Sequence, residues 1–169
     1  MHRRTFLIYA GSAAASAGLV GTSALWRKSE TPLPGPYKER GFEIVRTREE
    51  WQSILTEEQF AILRDHETEE PFSSQLNKED RAGLYHCAGC GLPAYSSAAK
   101  FDSGTGWPSF WEPLEDAVGT QPDNTLWIAR TEVHCSRCGG HHGHIFDDGP
   151  APTGKRYCLN GTALRFEPA

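Results

Sequence analysis

The segment Cys135-Ser136-Arg137-Cys138 repeats the cysteine spacing of Cys87-Ala88-Gly89-Cys90, with 44 residues between the two. Paired C-x-x-C turns suit tetrahedral zinc, because each turn presents two sulfurs to adjacent corners of the coordination sphere. A site closed by four sulfurs has no open position, so we expect the metal to stabilise the fold rather than catalyse. The spacing predicts one structural Zn²⁺ bound by Cys87, Cys90, Cys135 and Cys138, which leaves Cys158 as a free thiol.

Disulfide bonds are the alternative for these cysteines, since exported proteins with several cysteines are usually cross-linked. A bridge within one C-x-x-C motif closes a loop too short to restrain much of the chain. Both motifs also have glycines in or beside the turn, as zinc knuckles often do: Gly89, Gly91, Gly139 and Gly140. The pattern therefore favours zinc over paired disulfides.

The N-terminus looks like a bacterial twin-arginine export signal. Arg3 and Arg4 precede 22 uncharged residues, 5–26, that are rich in Ala, Gly and Ser. We expect residues 1–24 to be a cleaved signal peptide, although an earlier small-residue triplet at 15–17 is also a candidate cleavage site. An uncleaved anchor is the alternative, because a stretch of this length just spans a bilayer. The predicted location is the periplasm, and the export machinery is a predicted partner.

The rest of the chain is acidic. Without Arg3 and Arg4 it has 15 basic and 22 acidic residues, which gives a net charge of about −7. No basic stripe is available for a phosphate backbone, so nucleic acid is not an expected partner. Residues 25–46 are predicted to be a linker or N-terminal arm, because three prolines within 32–36 disfavour a helix. Residues 47–169 are predicted to form one folded domain.

Two short helices are predicted at the start of this domain. Thr47-x-x-Glu50 and Thr56-x-x-Gln59 both have the capping-box pattern, and an apolar run follows each. From Gly83 onward, short apolar or aromatic runs alternate with turn residues, which indicates antiparallel strands at 84–87, 125–133, 143–146 and 156–166. We predict a mainly β domain with short N-terminal helices.

Cys158 is the candidate nucleophile. In a strand, Arg156, Cys158 and Asn160 share one face, and a guanidinium and an amide beside a thiol favour the thiolate. The alternative is a buried and inert cysteine, since free cysteines are among the most buried residues. Composition alone does not separate the two.

Two further motifs contain candidate site residues. In the segment 141–144, His141 and His144 are suited to handing a proton to a polar oxygen, and a bend at the glycine between them lets both face one pocket. Trp107 lies in the glycine-rich segment 104–111, and an aromatic wall suits a thioether-like methyl group. The alternatives are a second metal at the histidines and a surface turn covered by core aromatics.

Together these motifs strongly resemble the methionine-R-sulfoxide reductases, the MsrB family. The resemblance runs over residues 51–166 and includes four segments in the family's order, at 87–90, 101–110, 135–150 and 156–161. It implies two antiparallel β-sheets of the β-tent type, with the zinc opposite the active site. It also implies that Cys158 is the catalytic nucleophile and that the substrate pocket is lined by Trp107, His141, His144 and Asn160.

The expected reaction follows from sulfur chemistry. Cys158 attacks the sulfoxide sulfur, a proton reaches the sulfoxide oxygen from His141, His144 or a water they hold, and Cys158 becomes a sulfenic acid. We expect Arg156 and Asn160 to lower the thiol pKa or to fix the oxygen. The expected role is repair of oxidised proteins under oxidative stress, by a monomer.

Two positions depart from the family pattern. Many members have a resolving cysteine where this chain has Thr105, so we expect an external thioredoxin-like dithiol to reduce Cys158 directly rather than a zinc-knuckle sulfur. His142 stands where an apolar residue is more common, and the sequence suggests no role for it. The rival functions are a non-catalytic zinc-ribbon-like binding module and a thiol peroxidase, which normally begins a helix at its cysteine.

Overall fold

The computed structural model describes residues 41–125 and 129–169. The predicted signal peptide, residues 1–24, and all of the predicted linker up to residue 40 lie outside the described residues, so these assignments stay predictions. Within the two described ranges, no helix is both long enough and apolar enough to cross a membrane.

Two short helices precede the strands, as the capping patterns predicted. Helix α1 spans Arg48–Ile54 and helix α2 spans Glu57–Asp65. The side chains of Thr47 and Thr56 each accept a hydrogen bond from the backbone amide three residues later. The Glu or Gln side chain at that later position accepts a hydrogen bond from the backbone amide of the threonine. Both capping boxes are therefore complete, which satisfies amides that the helices leave without internal partners.

The strands of the described chain form two antiparallel sheets. In chain order they are β1 (Gly83–Cys87), β2 (Pro93–Ser96), β3 (Lys100–Phe101), β4 (Ser109–Phe110), β5 (Val118–Asp123), β6 (Arg130–Cys135), β7 (His141–Phe146), β8 (Arg156–Leu159) and β9 (Leu164–Pro168). The first sheet has the order β2-β1-β9, and the second has the order β3-β4-β8-β7-β6-β5. Every pairing in both sheets is antiparallel. The predicted mainly β class is confirmed.

The predicted strand at 156–166 was wrong in one respect. The chain divides there into β8 and β9, which belong to different sheets, with a 3₁₀ turn at Gly161–Ala163 between them. Asn160 occupies the position before this turn and is not part of a strand. A Cβ atom at Gly161 would lie 1.9 Å from Ser74 Oγ, so the tight approach of another segment fixes the break at this glycine.

The predicted strand at 125–133 also begins later than expected. Thr125 lies in a turn where both its amide and its hydroxyl donate to Asp123 Oδ1, at 2.9 and 2.6 Å. Strand β6 starts at Arg130, and residues 126–128 are outside the described ranges. Local side-chain bonds of this kind compete with a strand ladder and hold the chain in a turn.

Two buried clusters form the core. One joins the helices to the zinc-motif cysteines, through Trp51, Phe60, Ile62, Leu63, Cys87, Cys135 and Cys138. The other lies between the two sheets and contains Tyr85, Ala94, Tyr95, Ala99, Phe110, Ala117, Leu159 and Leu164. The first cluster fixes the helices beside the metal motifs, and the second packs β4 and β8 of the larger sheet against the smaller sheet.

Candidate active site and zinc centre

The two cysteine motifs meet in space. Cys87 Sγ lies 3.7 Å from Cys138 Sγ, and Cys90 Sγ lies 3.5 Å from Cys135 Sγ. Tetrahedral coordination with Zn–S bonds of about 2.3 Å puts neighbouring sulfurs about 3.8 Å apart, whereas a disulfide needs about 2.05 Å. All four sulfurs belong to one group of candidate metal ligands. The geometry therefore fits zinc, and it does not fit paired disulfides.

The metal motifs also connect the two sheets. Cys87 ends β1 in the smaller sheet, and Cys135 ends β6 in the larger sheet. Cys90 and Cys138 lie in the turns that follow these strands. A metal bound by all four sulfurs links the two sheets at one point, and the helices pack against the same point. This is the arrangement of a structural metal.

Cys158 lies in β8 within a row of side chains that crosses the larger sheet. It is directly opposite Ser109 on one side and His144 on the other. His144 is in turn opposite Glu132, and Glu132 is opposite Gln121. Directly opposed residues in an antiparallel pair lie on the same face. The candidate nucleophile, a candidate proton carrier and a buried carboxylate therefore share one face.

A β-bulge brings the two candidate histidines onto that face. Glu132 and His134 are two residues apart in β6, whereas their partners in β7, His144 and His141, are three residues apart. Strand β7 therefore has one extra residue at this point. In a regular strand residues three apart point to opposite faces, and the extra residue, His142, restores a common face. The rings of His141 and His144 lie 5.3 Å apart. The two rings are therefore neighbours, and their place in a common substrate pocket stays a prediction.

Gly143 allows β7 and β8 to approach closely beside the nucleophile. A Cβ atom at this position would lie 2.1 Å from the carbonyl oxygen of Cys158 and 3.0 Å from Leu159 Cα. Any other residue would push the two strands apart. Gly143 was predicted to allow a bend, and its main effect is to let β7 and β8 lie close together.

Burial raises the pKa of the Cys158 thiol, and a hydrogen bond from Thr105 and the charge of Arg156 offset only part of that rise. Thr105 Oγ1 lies 3.8 Å from Cys158 Sγ. The expectation of a net lowered pKa was wrong for the substrate-free site, because the half-buried sulfur loses more hydration than its neighbours replace. Arg156 nevertheless acts in the predicted direction.

The guanidinium of Arg156 is held by two hydrogen bonds to Asp148, from Nε at 2.8 Å and from Nη2 at 2.9 Å. It also lies over the ring of Phe146, with Cζ 4.4 Å from the centroid. Bidentate pairing and stacking orient this planar group. Asp148 is therefore a supporting residue that the sequence did not indicate.

Each candidate histidine bonds to a carboxylate. His141 Nδ1 lies 2.8 Å from Glu132 Oε1, and His144 Nε2 lies 2.7 Å from Asp123 Oδ2. Burial acts to raise the pKa of Glu132, but hydrogen bonds from His141 and Gln121 lower it to about 2. Burial likewise acts to raise the pKa of Asp123, and hydrogen bonds from Thr125 and His144 hold it well below its ordinary value. An ionised carboxylate can only accept, so the contacting ring nitrogens carry the hydrogens.

In a neutral imidazole, such a contact leaves the opposite nitrogen as an acceptor. Burial lowers the pKa of His144, and its bond to Asp123 opposes that effect only in part. His141 Nε2 is buried and has no hydrogen-bond partner among the described residues. Both imidazoles are therefore oriented by a carboxylate, and each retains one nitrogen that can accept a proton.

His66 completes a second group of possible metal ligands with Glu132 and His141. Its Nδ1 lies 3.3 Å from the same oxygen, Glu132 Oε1, that bonds to His141. These distances fit direct contacts between imidazoles and a carboxylate, and they need no bridging ion. We assign no second metal here.

Trp107 and Asn160 both meet the segment that follows α2. Trp107 Nε1 donates to the carbonyl oxygen of Glu69 at 3.1 Å, and Asn160 Oδ1 accepts from the Glu69 amide at 3.0 Å. Asn160 Nδ2 also donates to the carbonyl oxygen of His142 at 3.2 Å. Asn160 is only 3% exposed, so it lies behind the site surface and its amide is already engaged.

Comparisons with known proteins agree with these features. A family model described as the SelR domain matches residues 55–168. A peptide methionine sulfoxide reductase MsrB from Methanosarcina barkeri (strain Fusaro / DSM 804) is 50% identical over 125 residues, which cover 73% of this chain and 88% of that protein. An MsrB from Pseudomonas putida (strain W619) is 49% identical over 126 residues, covering 74% and 95% of the two chains.

A solved structure, the Mis18 'Yippee-like' domain, aligns with 53% of this chain and 98% of its own, at 15% identity and a TM-score of 0.41. We draw no conclusion from so low a score.

The fold, the zinc centre and the thiol site define a zinc-containing oxidoreductase. The chain belongs to the SelR-domain family of methionine sulfoxide reductases, MsrB, because the family model and these relatives match most of its length. Its chemistry is the reduction of methionine sulfoxide, and the four-cysteine group is its structural zinc site. A non-catalytic binding module is not favoured.

Proposed function

We propose that this enzyme reduces the R epimer of methionine sulfoxide in oxidised proteins, with Cys158 as the nucleophile. The observation that carries the proposal is the position of Cys158 directly opposite His144 on one face of the larger sheet. Its sulfur is half-buried and lies outside the four-cysteine metal site. The preference for the R epimer comes from the family.

The first step transfers oxygen from the substrate to the enzyme. The sulfur of Cys158 attacks the sulfoxide sulfur, the S–O bond breaks, and methionine leaves as the reduced thioether. Cys158 becomes a sulfenic acid, and the thiol's proton ends on the transferred oxygen, so no outside proton is consumed. Trp107 is proposed to pack against the methyl group of the substrate, because a sulfur-bound methyl group packs well on an aromatic ring.

We propose that His144 carries this proton. The thiol pKa is raised, so the resting sulfur is mainly protonated and needs a base before it attacks. His144 is mainly neutral because its pKa is lowered, and its Nε2 is committed to Asp123. Nδ1 is then the free acceptor. His141 is oriented by Glu132 and packs against the His144 ring, so we propose that it supports His144 in the proton transfer.

The sulfenic acid is proposed to be reduced by an external dithiol of the thioredoxin type. Thr105, not a cysteine, is the side chain beside Cys158 Sγ, and the other four cysteines form the zinc site. Two thiols of the dithiol give up two electrons and two protons, so Cys158 returns to the thiol and water is released. If a zinc-binding cysteine reduced the sulfenic acid instead, the zinc would be released and the folding free energy that its binding provides would be lost.

The role in protein repair, action as a monomer, and export to the periplasm by the twin-arginine machinery are part of the same proposal. The support for export is the sequence of residues 1–24, which contains Arg3 and Arg4 before an uncharged stretch.

The test is turnover of both epimers of a methionine sulfoxide peptide with dithiothreitol, by the wild type and by Cys158→Ser. We expect loss of the R epimer only, and no turnover by the variant. Mass spectrometry of the denatured, zinc-free protein after substrate without reductant should show a sulfenic adduct on Cys158 and four free thiols. Turnover of the S epimer alone, or activity without Cys158, would overturn the proposal.

A further inference from the structure

Glu69 bonds to the site through four of its polar atoms. Its amide donates to Asn160 Oδ1 and its carbonyl accepts from Trp107 Nε1. Its carboxylate oxygens accept from the backbone amides of Gly161 at 2.7 Å and Thr162 at 2.8 Å. One residue therefore contacts two predicted pocket side chains and the turn that follows Cys158.

The Glu69 carboxylate caps the turn that follows Cys158, which no nearby side chain does. Asn160 is the N-cap of the 3₁₀ turn Gly161–Ala163, but its side chain makes no capping bond. Instead it bonds to Glu69 and His142. The first amides of a helical turn have no partner inside the turn and need an outside acceptor. Glu69, far away in sequence, supplies both acceptors, so the Asn160 side chain can bond to the Glu69 amide and the His142 carbonyl instead of capping the turn.

The segment around Glu69, residues 66–72, is held tightly. It begins and ends with non-glycine residues in the left-handed region, His66 at φ 60° and Phe72 at φ 66°. The Phe72 amide donates to the Gly106 carbonyl at 2.7 Å, next to Trp107. A Cβ atom at Gly106 would lie 2.8 Å from Pro71 Cβ. Such backbone conformations persist where the surroundings fix them, and they cluster at functional sites.

We propose that Glu69 is a positioning residue for methionine sulfoxide reduction. Its carboxylate ties segment 66–72 to the turn after β8, and the same segment then orients Trp107 and Asn160 beside Cys158. Glu69 acts through these two side chains and not on the reacting sulfur, whose neighbours are Thr105 and Arg156. This inference rests on the proposed function.

The test compares Glu69→Ala and Glu69→Gln with Glu70→Ala, a change at an exposed glutamate of the same segment. For each protein, kcat/KM with an R-sulfoxide peptide and the alkylation rate of Cys158 by iodoacetamide are measured. We expect Glu69→Ala to lower kcat/KM by about tenfold to 100-fold, since small misplacements of binding groups are costly. Glu69→Gln should lose less, because its one amide oxygen still accepts a bond. Alkylation and zinc content should be unchanged, and Glu70→Ala should match the wild type.

A double variant with Trp107→Phe distinguishes a positioning role of Glu69 from a general effect on stability. Trp107→Phe removes the indole N–H that bonds to Glu69, so adding Glu69→Ala there should cost a smaller factor than in the wild type. Equal factors in both backgrounds, wild-type kcat/KM in Glu69→Ala, or loss of zinc in both Glu69 variants would each overturn the inference. Failure of the proposed function gives a different result, because the wild type itself would then fail to reduce the peptide.

Discussion

Cys158 and His144 are directly opposed in the pairing of β8 with β7, and Asp123 holds the His144 ring by a 2.7 Å hydrogen bond. Burial lowers the pKa of His144 while it raises the pKa of the Cys158 thiol. The two shifts leave the proton on the thiol and the imidazole neutral in the substrate-free site. In the proposed mechanism, His144 accepts this proton when the sulfur attacks.

Replacement of the base should remove this transfer. We expect His144→Gln to lower kcat/KM for the R-sulfoxide peptide about 100-fold or more, the usual range for a general acid–base residue. Because the His144 pKa is lowered, wild-type activity should persist below the ordinary histidine pKa of about 6.5 and fall only at more acidic pH. The variant should lack this acid limb in a kcat/KM–pH profile.

Asp123→Asn is the companion variant, because it retains the His144 ring but weakens its orientation. Its loss of kcat/KM should be smaller than that of His144→Gln. A His144→Gln enzyme with wild-type kcat/KM near neutral pH would contradict the assignment of the base.

Thr105 gives a second prediction, on the reactivity of the thiol. Its hydroxyl lies 3.8 Å from Cys158 Sγ and lowers the thiol pKa against the effect of burial. We expect Thr105→Val to raise that pKa further and to slow alkylation of Cys158 near neutral pH about fivefold, since a hydrogen bond is worth ~1 kcal/mol. Peptide mass spectrometry after iodoacetamide treatment measures the rate at Cys158 alone.

The control is Thr120→Val, the same change at an exposed position in β5. It should alkylate at the wild-type rate. Equal rates in both valine variants would show that the Thr105 hydroxyl has no influence on the sulfur.

The zinc site predicts different outcomes for two cysteine substitutions. Cys135→Ser removes a ligand that joins β6 to the smaller sheet, so bound zinc should fall and the melting temperature should drop by about 10 °C or more. Cys158→Ser is the matched control, and it should retain one zinc per chain and the wild-type melting temperature. Elemental analysis and calorimetry measure both, and zinc loss in the control would place Cys158 in the metal site.

Local signals made much of this structure predictable. The capping boxes at Thr47 and Thr56 each concern four consecutive residues, and both formed. The C-x-x-C spacing predicted the zinc ligands because each turn needs only its own residues. Cys158 could be singled out because the other cysteines were already paired in motifs.

Groups brought together by strand pairing were not predictable in the same way. Glu132 is of a residue type that is mostly exposed, yet it is only 2% exposed and bonds to His141. Asp123 and Glu69 reach the site from strands and segments far away in sequence. The thiol pKa was also misjudged, because its direction depends on burial in the folded state.

His142 gives the last prediction, on stability. It is fully buried, and neither ring nitrogen has a hydrogen-bond partner among the described residues. Burial lowers its pKa to about 3. An unfolded histidine binds its proton below about pH 6.5, so the unfolded state then holds a proton that the folded state excludes. The contribution of this group to stability should therefore be independent of pH above that value, and stability should fall as the pH drops below it.

We expect His142→Leu to stabilise the enzyme by about 1 to 3 kcal/mol near neutral pH, because leucine buries no unpaired polar atom. The advantage should grow by up to about 1.4 kcal/mol for each pH unit below about 6.5, since the variant has no proton to exclude. Calorimetry of both proteins between about pH 7.5 and about pH 5.5, with zinc content checked at each pH, measures the difference. A stability gap that does not widen toward acid would show that His142 is not buried as the neutral imidazole.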